Sequence, residues 1–328
     1  MKKKLHTYKN GNCKVTIYND GTKTREWKGE AKPEFPESID LKITDYCKNE
    51  CIHCHESSSI KGIHAKVAWI DRVVSGLPRG VEIAIGGGDP LEYPSLDLLL
   101  AMLKRRGLVA NMTINGVSAF AYGTDSPALS VCIKELRKEK LIYGLGVSWH
   151  TLLDTGESHW ERYKGKKVEV EDGHLRIFNK DTIMHFIAGL HDPQDVIRWA
   201  SICQKKWHRR PKVLILGFKF YGRGAGYDKK EIDANLDMWD YWLGTIMGKA
   251  DVALDNLALQ QLSIKERVPK KVWEKSYMGS DGRFSMYIDA VKQQYAISST
   301  NPRIECGETN AVQMFKAMQQ RYKNLPFY

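Results

Sequence analysis

Long apolar runs are missing from this chain: no stretch approaches the roughly 20 residues that a membrane helix needs. The lysines at positions 2–4 are not followed by an apolar segment, so no secretory signal is read and a cytoplasmic location is expected. A disulfide framework is missing too. The seven cysteines are odd in number, three fall within eight residues, and Cys13, Cys132, Cys203 and Cys306 stand alone and read as ordinary thiols. No low-complexity tract and no repeat of about 20–50 residues appears, which excludes solenoid and propeller architectures.

Acidic residues are in deficit. Lys and Arg number 50 against 39 Asp and Glu, a formal net charge of +11, which favours an anionic partner. The excess is spread over Lys164–Lys167, Lys205–Arg210 and Lys265–Lys271 without a nucleic-acid motif, and reads as solvated faces. With 42% hydrophobic residues in 328, the composition suits one large soluble α/β domain or two modest ones.

Strand-like runs at 14–18 and 22–27 flank Asn19-Asp20-Gly21 and predict a hairpin over 12–27, followed by a linker punctuated by Pro33 and Pro36. From Ser38 strands and helices alternate. Strands are predicted at 39–44, 81–85, 108–114, 143–149, 182–188 and 213–220, with helices at 67–77, 96–106, 126–140, 192–206 and 232–247. Residues 151–181 break the rhythm and read as an inserted hairpin or lid. A second hairpin over 283–298 and a helix over 310–322 complete the tail. The division is 1–37, 38–260 and 261–328. Alternation predicts a parallel sheet with right-handed crossovers, while periodicity leaves an open sheet, a partial barrel and a full barrel undistinguished.

The decisive segment is Thr44-Asp45-Tyr46-Cys47-Lys48-Asn49-Glu50-Cys51-Ile52-His53-Cys54-His55-Glu56, a C-x3-C-x2-C triplet directly after the first strand of the series. Such spacing lets one loop wrap three thiolates around a metal centre. An ordinary [4Fe–4S] cluster takes four cysteines, so three would leave one iron open to a ligand. The alternative is zinc held by these cysteines with His53 or His55, and with it a non-catalytic binding module. His64 reads as structural.

These residues resemble the radical S-adenosylmethionine superfamily, whose hallmark is this cysteine loop. His53 stands where the family often has an aromatic residue. Gly86-Gly87-Gly88-Asp89-Pro90 resembles the family's Gly-Gly-Glu-Pro turn, with Gly87, Gly88 and Asp89 as candidate contacts to the methionine amino group. Asn115-Gly116 resembles another family turn, and Ser148 and His150 fall where the family places polar contacts. Residues 187–192, with Ile187 and Gly189, partly match an adenine-binding pattern in which His185 and Asp192 replace the usual Gly and Glu. Arg223, between Gly222 and Gly224, could present a guanidinium to a carboxylate.

The resemblance implies an α/β fold: a partial (β/α)6 TIM-like barrel with an N-terminal β-hairpin and a C-terminal extension. It implies a [4Fe–4S] cluster on Cys47, Cys51 and Cys54, S-adenosylmethionine as the second cofactor, and an electron donor such as flavodoxin or ferredoxin. Cleavage of the sulfonium would give methionine and a 5′-deoxyadenosyl radical that abstracts hydrogen from a substrate.

Only Cys306 lies beyond Cys203, so a second cluster in the tail is not expected, nor is a cobalamin-binding domain from the 37 residues before Ser38. The N-terminal hairpin, the insertion and the extension are expected to cover the barrel mouth. Their edge strands would suit a polypeptide, modified at a side chain or backbone carbon. A nucleotide or nucleic-acid base, stacked on aromatic residues of the kind at Tyr287 and Tyr295, or a small metabolite, is the other reading.

Overall fold

The computed structural model of the protein describes residues 3–19, 22–116, 127–149 and 182–322. The predicted hairpin tip at Asp20-Gly21, His150 and the 151–181 insertion lie outside the described residues.

Period-two alternation organises the sheet. In β4 (Ser38–Thr44) the side chains of Ile39, Leu41 and Ile43 are fully buried on one face, while Asp40, Lys42 and Thr44 take the other. Strands β5 (Glu82–Gly87), β6 (Val109–Asn115), β7 (Gly144–Ser148), β8 (Thr182–Ile187) and β9 (Lys212–Leu216) repeat the pattern, each burying its apolar set in one common core. Helices α1 (Val67–Val74), α2 (Leu96–Arg106), α3 (Pro127–Lys138), α4 (Pro193–Trp207) and α5 (Lys229–Lys249) follow the strands. Helix α2 buries Leu96, Leu99, Leu100 and Leu103 in that core. It stops at Gly107, whose φ of 73° closes the C-terminus. Asp192 accepts from the Gln194 amide at 2.8 Å and, with Pro193, starts α4 as its sequence predicts. Ser95 occupies the start of α2 but makes no capping bond.

Strands β4 to β9 pair in parallel and in chain order without reversal. Right-handed crossovers in a singly wound sheet place the described crossover helices on the same face. The opposite, polar face is left for chemistry. Parallel pairing continues beyond the six predicted strands. On one side β10 (Asp251–Leu254) joins β9, and on the other β11 (Ser285–Asp289) joins β4. The predicted second hairpin is therefore part of the main sheet. Met286 and Ile288 bury in the common core just as Ile39 and Leu41 do. Strands β12 (Gln294–Ala296) and β13 (Ile304–Glu305) extend it antiparallel, giving ten strands among the described residues, with β10 and β13 at the edges. Short helices α6 (Asn256–Gln261), α7 (Ile264–Arg267) and α8 (Lys270–Ser276) link β10 to β11. Helix α9 (Ala311–Arg321) starts on an Asn310/Gln313 capping box and packs Met314, Phe315 and Met318 into the core. No described helix is long and apolar enough to cross a membrane.

The N-terminal hairpin is three-stranded, because β1 (Lys4–Asn10) pairs with β2 (Cys13–Tyr18), which pairs with β3 (Lys23–Glu26). The polar composition of β1 hid it from the sequence. This small sheet does not cover the mouth, as was expected, but the opposite end. Arg25 Nε meets Glu37 Oε2 at 2.7 Å and Lys23 pairs with Glu82, and those two acids stand where β4 and β5 begin. The Glu37 side chain is fully buried, so its charge needs these partners, and that need fixes the sheet at the strand N-termini. Arg25→Ala should lower unfolding stability by about 3 kcal/mol in urea titrations, whereas breaking the exposed Lys14–Glu26 pair should change it by under about 0.5 kcal/mol.

Candidate active site around the cysteine loop

Immediately after β4 the chain turns through residues 45–65 and returns along its own path. Thr44 Oγ1 accepts from the Tyr46 amide at 2.9 Å and meets His64 Nδ1 at 2.8 Å. The Asp45 amide donates to Ile63 O at 2.9 Å, and the Cys47 amide to Ser59 O at 3.0 Å. His64 packs its ring against Tyr46 and Tyr93, the structural role read from the sequence. Arg223 ties the loop from the far side of the sheet. Its Nε donates to Cys51 O and its terminal amine to Ser58 O, both at 2.8 Å, while its own amide donates to Cys54 O at 3.0 Å. The preceding Gly222, at φ 56°, allows this approach, since a Cβ there would lie 2.5 Å from His55 O.

The glycine turn after β5 meets the same loop. Gly88 donates to Thr44 O at 2.7 Å, and a Cβ on it would lie 2.0 Å from Tyr46 O. Gly87 adopts φ 120°, a conformation that only glycine takes up readily. Gly86 differs, because a Cβ on it would meet nothing within 4 Å. The space it leaves belongs to a cavity of about 270 Å³.

Cys47, Cys51 and Cys54 line that cavity together with Gly86, Gly87, Gly88, Asn115, Ser148, Ile187 and Arg223. The predicted residues from six strand ends thus come together. Asp89 lies fully buried just behind them. Its Oδ1 accepts from the Leu91 amide at 3.1 Å, and its charge reaches Cys47 and Cys51. Gly189 is not in the cavity lining: its φ of 83° seats it against α5, where Asn235 donates to its carbonyl at 3.0 Å. The fourth-strand residue His150 lies outside the described residues. Sequence reading missed Thr113, His185 and Lys219, which also line the cavity. Two of them were within reach, because alternation puts Thr113 on the face of Asn115 and His185 on that of Ile187.

Burial pushes the Cys47 thiol up to about 11 and raises Cys51 as well. Amide donors oppose this: Asn115 Nδ2 lies 3.5 Å from Cys51 Sγ and Asn49 Nδ2 3.8 Å from Cys47 Sγ. Burial also lowers His185 to about 4, so its imidazole is neutral at pH 7. Among the described residues, no three His, Cys, Asp or Glu side chains converge on a single-ion site. Three thiols spaced around one cavity suit a polynuclear cluster, which takes one thiolate per iron, better than a tetrahedral ion. Ser58 Oγ, buried without a protein partner, lines the same cavity, and Gly86 leaves room for a ligand to approach the backbone. The residues present fit a thiolate-held cluster with an adjoining small ligand.

Beside the loop lies a buried charge cluster. Lys42, on the inner face of β4, reaches Asp45 at 2.5 Å, Glu56 at 2.6 Å and Asp289 at 3.2 Å. Glu56 also accepts from Tyr287 Oη at 2.9 Å and meets Arg303 at 3.4 Å, while Arg303 stacks over the Tyr287 ring at 4.0 Å. Burial would raise the Glu56 carboxyl, but Lys42 above all, with help from His55 and Tyr287, holds it at about 2.

Two outcomes follow from this geometry. Because the folded value of Glu56 is depressed from 4.5, its stabilisation is complete above pH 4.5 and is lost as pH falls toward 2. Glu56→Gln should therefore cost about 3 kcal/mol in urea unfolding at pH 7, with the gap to the parent chain narrowing below pH 4.5. Arg223→Lys, which lacks the planar fork, should weaken metal retention about tenfold, read as iron per chain against a competing chelator after anaerobic reconstitution.

No protein-family model matches the chain. Among curated proteins it is similar to an S-adenosylmethionine-dependent nucleotide dehydratase of a Thermoplasmatales archaeon (strain ISO4-H5), 30% identical over 80 residues, or 24% of this chain and 29% of that protein. Among solved structures it is similar to Streptococcus suis SuiB bound to S-adenosylmethionine, with TM-score 0.58 and 14% identity, covering 90% of this chain and 67% of SuiB. SuiB bound to its precursor peptide SuiA gives TM-score 0.57 and 13% identity over 86% of this chain and 65% of that one. The chain thus spans under a third of the curated relative and about two thirds of SuiB. The chain shares its fold with an S-adenosylmethionine-bound protein, and its cysteine loop stands at the strand ends of that fold.

Proposed function

We propose that this chain is a radical S-adenosylmethionine enzyme that abstracts hydrogen from a polypeptide. The observation that carries the reading is one cavity shared by Cys47, Cys51 and Cys54 and the open-sided Gly86 turn, at the ends of parallel strands. Cys47, Cys51 and Cys54 would hold a [4Fe–4S] cluster, on a sheet that curls as a partial barrel. When bound, the cluster would supply the electron that splits S-adenosylmethionine into methionine and a 5′-deoxyadenosyl radical.

The protein's own residues do the rest. Gly86 admits the cofactor close to the backbone while Gly87 and Gly88 seat the cysteine loop beside it, and Asn115, Ser148 and Ile187 surround it. Asp89 sets the electrostatic field behind the thiols. Amide donors at Asn49 and Asn115 bias the sulfurs toward thiolate, a direct lever on cluster potential. Deeper on the same face, neutral His185 and Thr113 offer hydrogen bonds to the substrate without bringing a charge into the chamber. Gly146 makes room for that histidine, since a Cβ there would lie 2.4 Å from its ring.

A polypeptide substrate is supported by the precursor peptide bound to the fold neighbour SuiB. The second reading, a nucleotide, is favoured by the name of the curated relative, whose match covers 24% of this chain.

Anaerobically reconstituted protein should carry about four irons per chain and, with dithionite, convert S-adenosylmethionine to 5′-deoxyadenosine. A Cys47→Ala/Cys51→Ala/Cys54→Ala variant should do neither. Zinc in place of iron, or a cluster without cleavage, would return the chain to the binding-module class. Deuterated cell extract, separated into peptide and nucleotide pools, then assigns the substrate by which pool transfers deuterium into 5′-deoxyadenosine.

A further inference from the structure

Asp40 lies in the middle of the main sheet, yet its carboxylate has no hydrogen bond or ion pair with any described residue. Strand β4 is paired on both sides there, with Ala84 of β5 opposite Asp40 in one direction and Tyr287 of β11 in the other. The side chain stands on the inner face and is exposed, so it looks into an interior space between the strands and the segments that face them. Burial lifts its carboxyl to about 6, against the pull of Lys219 and with a push from Asp281 and Asp255. Lys219 links this space to the cavity of the cysteine loop, because it lines that cavity and its charge reaches Asp40 from the exit of β9. Small side chains keep the way open. Ala84, Asn111 and Gly144 share the level of Asp40 on the sheet, and Asn111 Oδ1 is turned onto the Gly144 amide at 2.9 Å. Gly86, the next inner-face residue of β5, would present a Cβ to nothing within 4 Å.

Three carboxylates share one ammonium in this place. Asp255 Oδ1 accepts from the Gly217 and Ala258 amides at 3.0 and 2.7 Å, and Asp281 Oδ1 accepts from Asn256 at 2.6 Å. Lys219 donates to Ser299 Oγ at 2.8 Å, and the backbone before it is clamped by Gln261, which bonds both the amide and the carbonyl of Phe218. These groups are held by the fold, whereas Asp40 is left without a donor. An unpaired carboxylate in a desolvated place is costly, and such groups cluster where a ligand supplies the partner. The missing partner is a cation. No three His, Cys, Asp or Glu side chains among the described residues converge on a metal ion, so a diffuse organic cation suits the site better.

We propose that Asp40 is the anchor for a basic side chain of the polypeptide substrate, an ammonium or guanidinium that enters past the cysteine loop and meets this carboxylate. The inference rests on the polypeptide reading above and deepens it. Asp255 and Asp281 add attraction for the incoming cation, and Lys219 sets a limit on it. A group held on Asp40 fixes how far the substrate reaches beyond Gly86.

The test is fluorescence anisotropy on the anaerobically reconstituted protein at pH 7, with neutral-dye-labelled glycine pentapeptides carrying lysine, arginine, norleucine or glutamate at the centre. The lysine or the arginine peptide should bind the parent chain at least about tenfold more tightly than the norleucine peptide. Asp40→Asn should abolish that preference, Asp40→Glu should keep most of it, and Lys219→Met should strengthen it. Glu26→Gln, which alters an exposed acid on β3, should leave it unchanged. A second readout separates binding from a structural role. Because burial raises the folded value of Asp40 above its usual 3.8, its ionised form costs stability at pH 7, so Asp40→Asn should raise the urea midpoint there, whereas loss of a structural partner would lower it. The anchor is overturned if basic and norleucine peptides bind alike, if Asp40→Asn keeps the preference, or if the glutamate peptide binds best and Lys219→Met removes it. These failures leave the polypeptide reading standing wherever the peptide pool of deuterated extract still labels 5′-deoxyadenosine. Label arriving from the nucleotide pool alone would defeat that reading itself.

Discussion

A buried ammonium on the inner face of a β-strand is a costly thing to fold, and Lys42 is paired with three carboxylates from three separate places, one of which also meets Arg303. Asp45 opens the cysteine loop, Glu56 follows its last cysteine, and Asp289 ends β11. Burial would lower the Lys42 pKa, but Glu56 and Asp289 raise it further, so the lysine stays charged and holds all three. The loop is thus anchored at both ends, and the C-terminal segment is locked to the strand beside it. Tyr287 and Arg303 strengthen the second link by meeting Glu56 from the tail. Removing Lys42 would leave three carboxylates facing one another in a dry place, which is why the arrangement acts as a unit.

Singly wound topology has a second consequence. With the crossover helices on one face, the apolar residues of β4 to β9 are committed to that side, and the inner face is free to be polar. Thr113, Asn115, Ser148 and His185 occupy positions that a packed barrel would fill with valine or leucine. The small N-terminal sheet closes the opposite end, drawn there by Glu37 and Glu82. The two ends of the strands are therefore divided between stability and chemistry, a division common to parallel α/β folds.

Local signals in the sequence carried far. Helices α2 and α4 begin or end where Gly107, Asp192 and Pro193 require, because those residues act through backbone geometry within one turn. The six central strands followed from apolar alternation. Elements that depend on distant partners were not legible: β1 is polar, β10 has four residues, and β11 looks like half of a hairpin until it pairs with β4. Arg223 looked like a ligand for a carboxylate, yet its guanidinium reaches the carbonyls of Cys51 and Ser58, 172 and 165 residues away in the chain.

The cysteine spacing alone specifies a three-thiolate loop, since ligands three and four residues apart can share one centre whatever surrounds them. The sequence likewise settles the alternation that makes a parallel sheet. Which cavity those thiols face, which glycine leaves room for a ligand and which merely touches the loop, and that His185 enters the chamber are decided only by the tertiary structure. Each of these depends on the meeting of strands far apart in the chain, and spacing within one segment contains no information about such meetings.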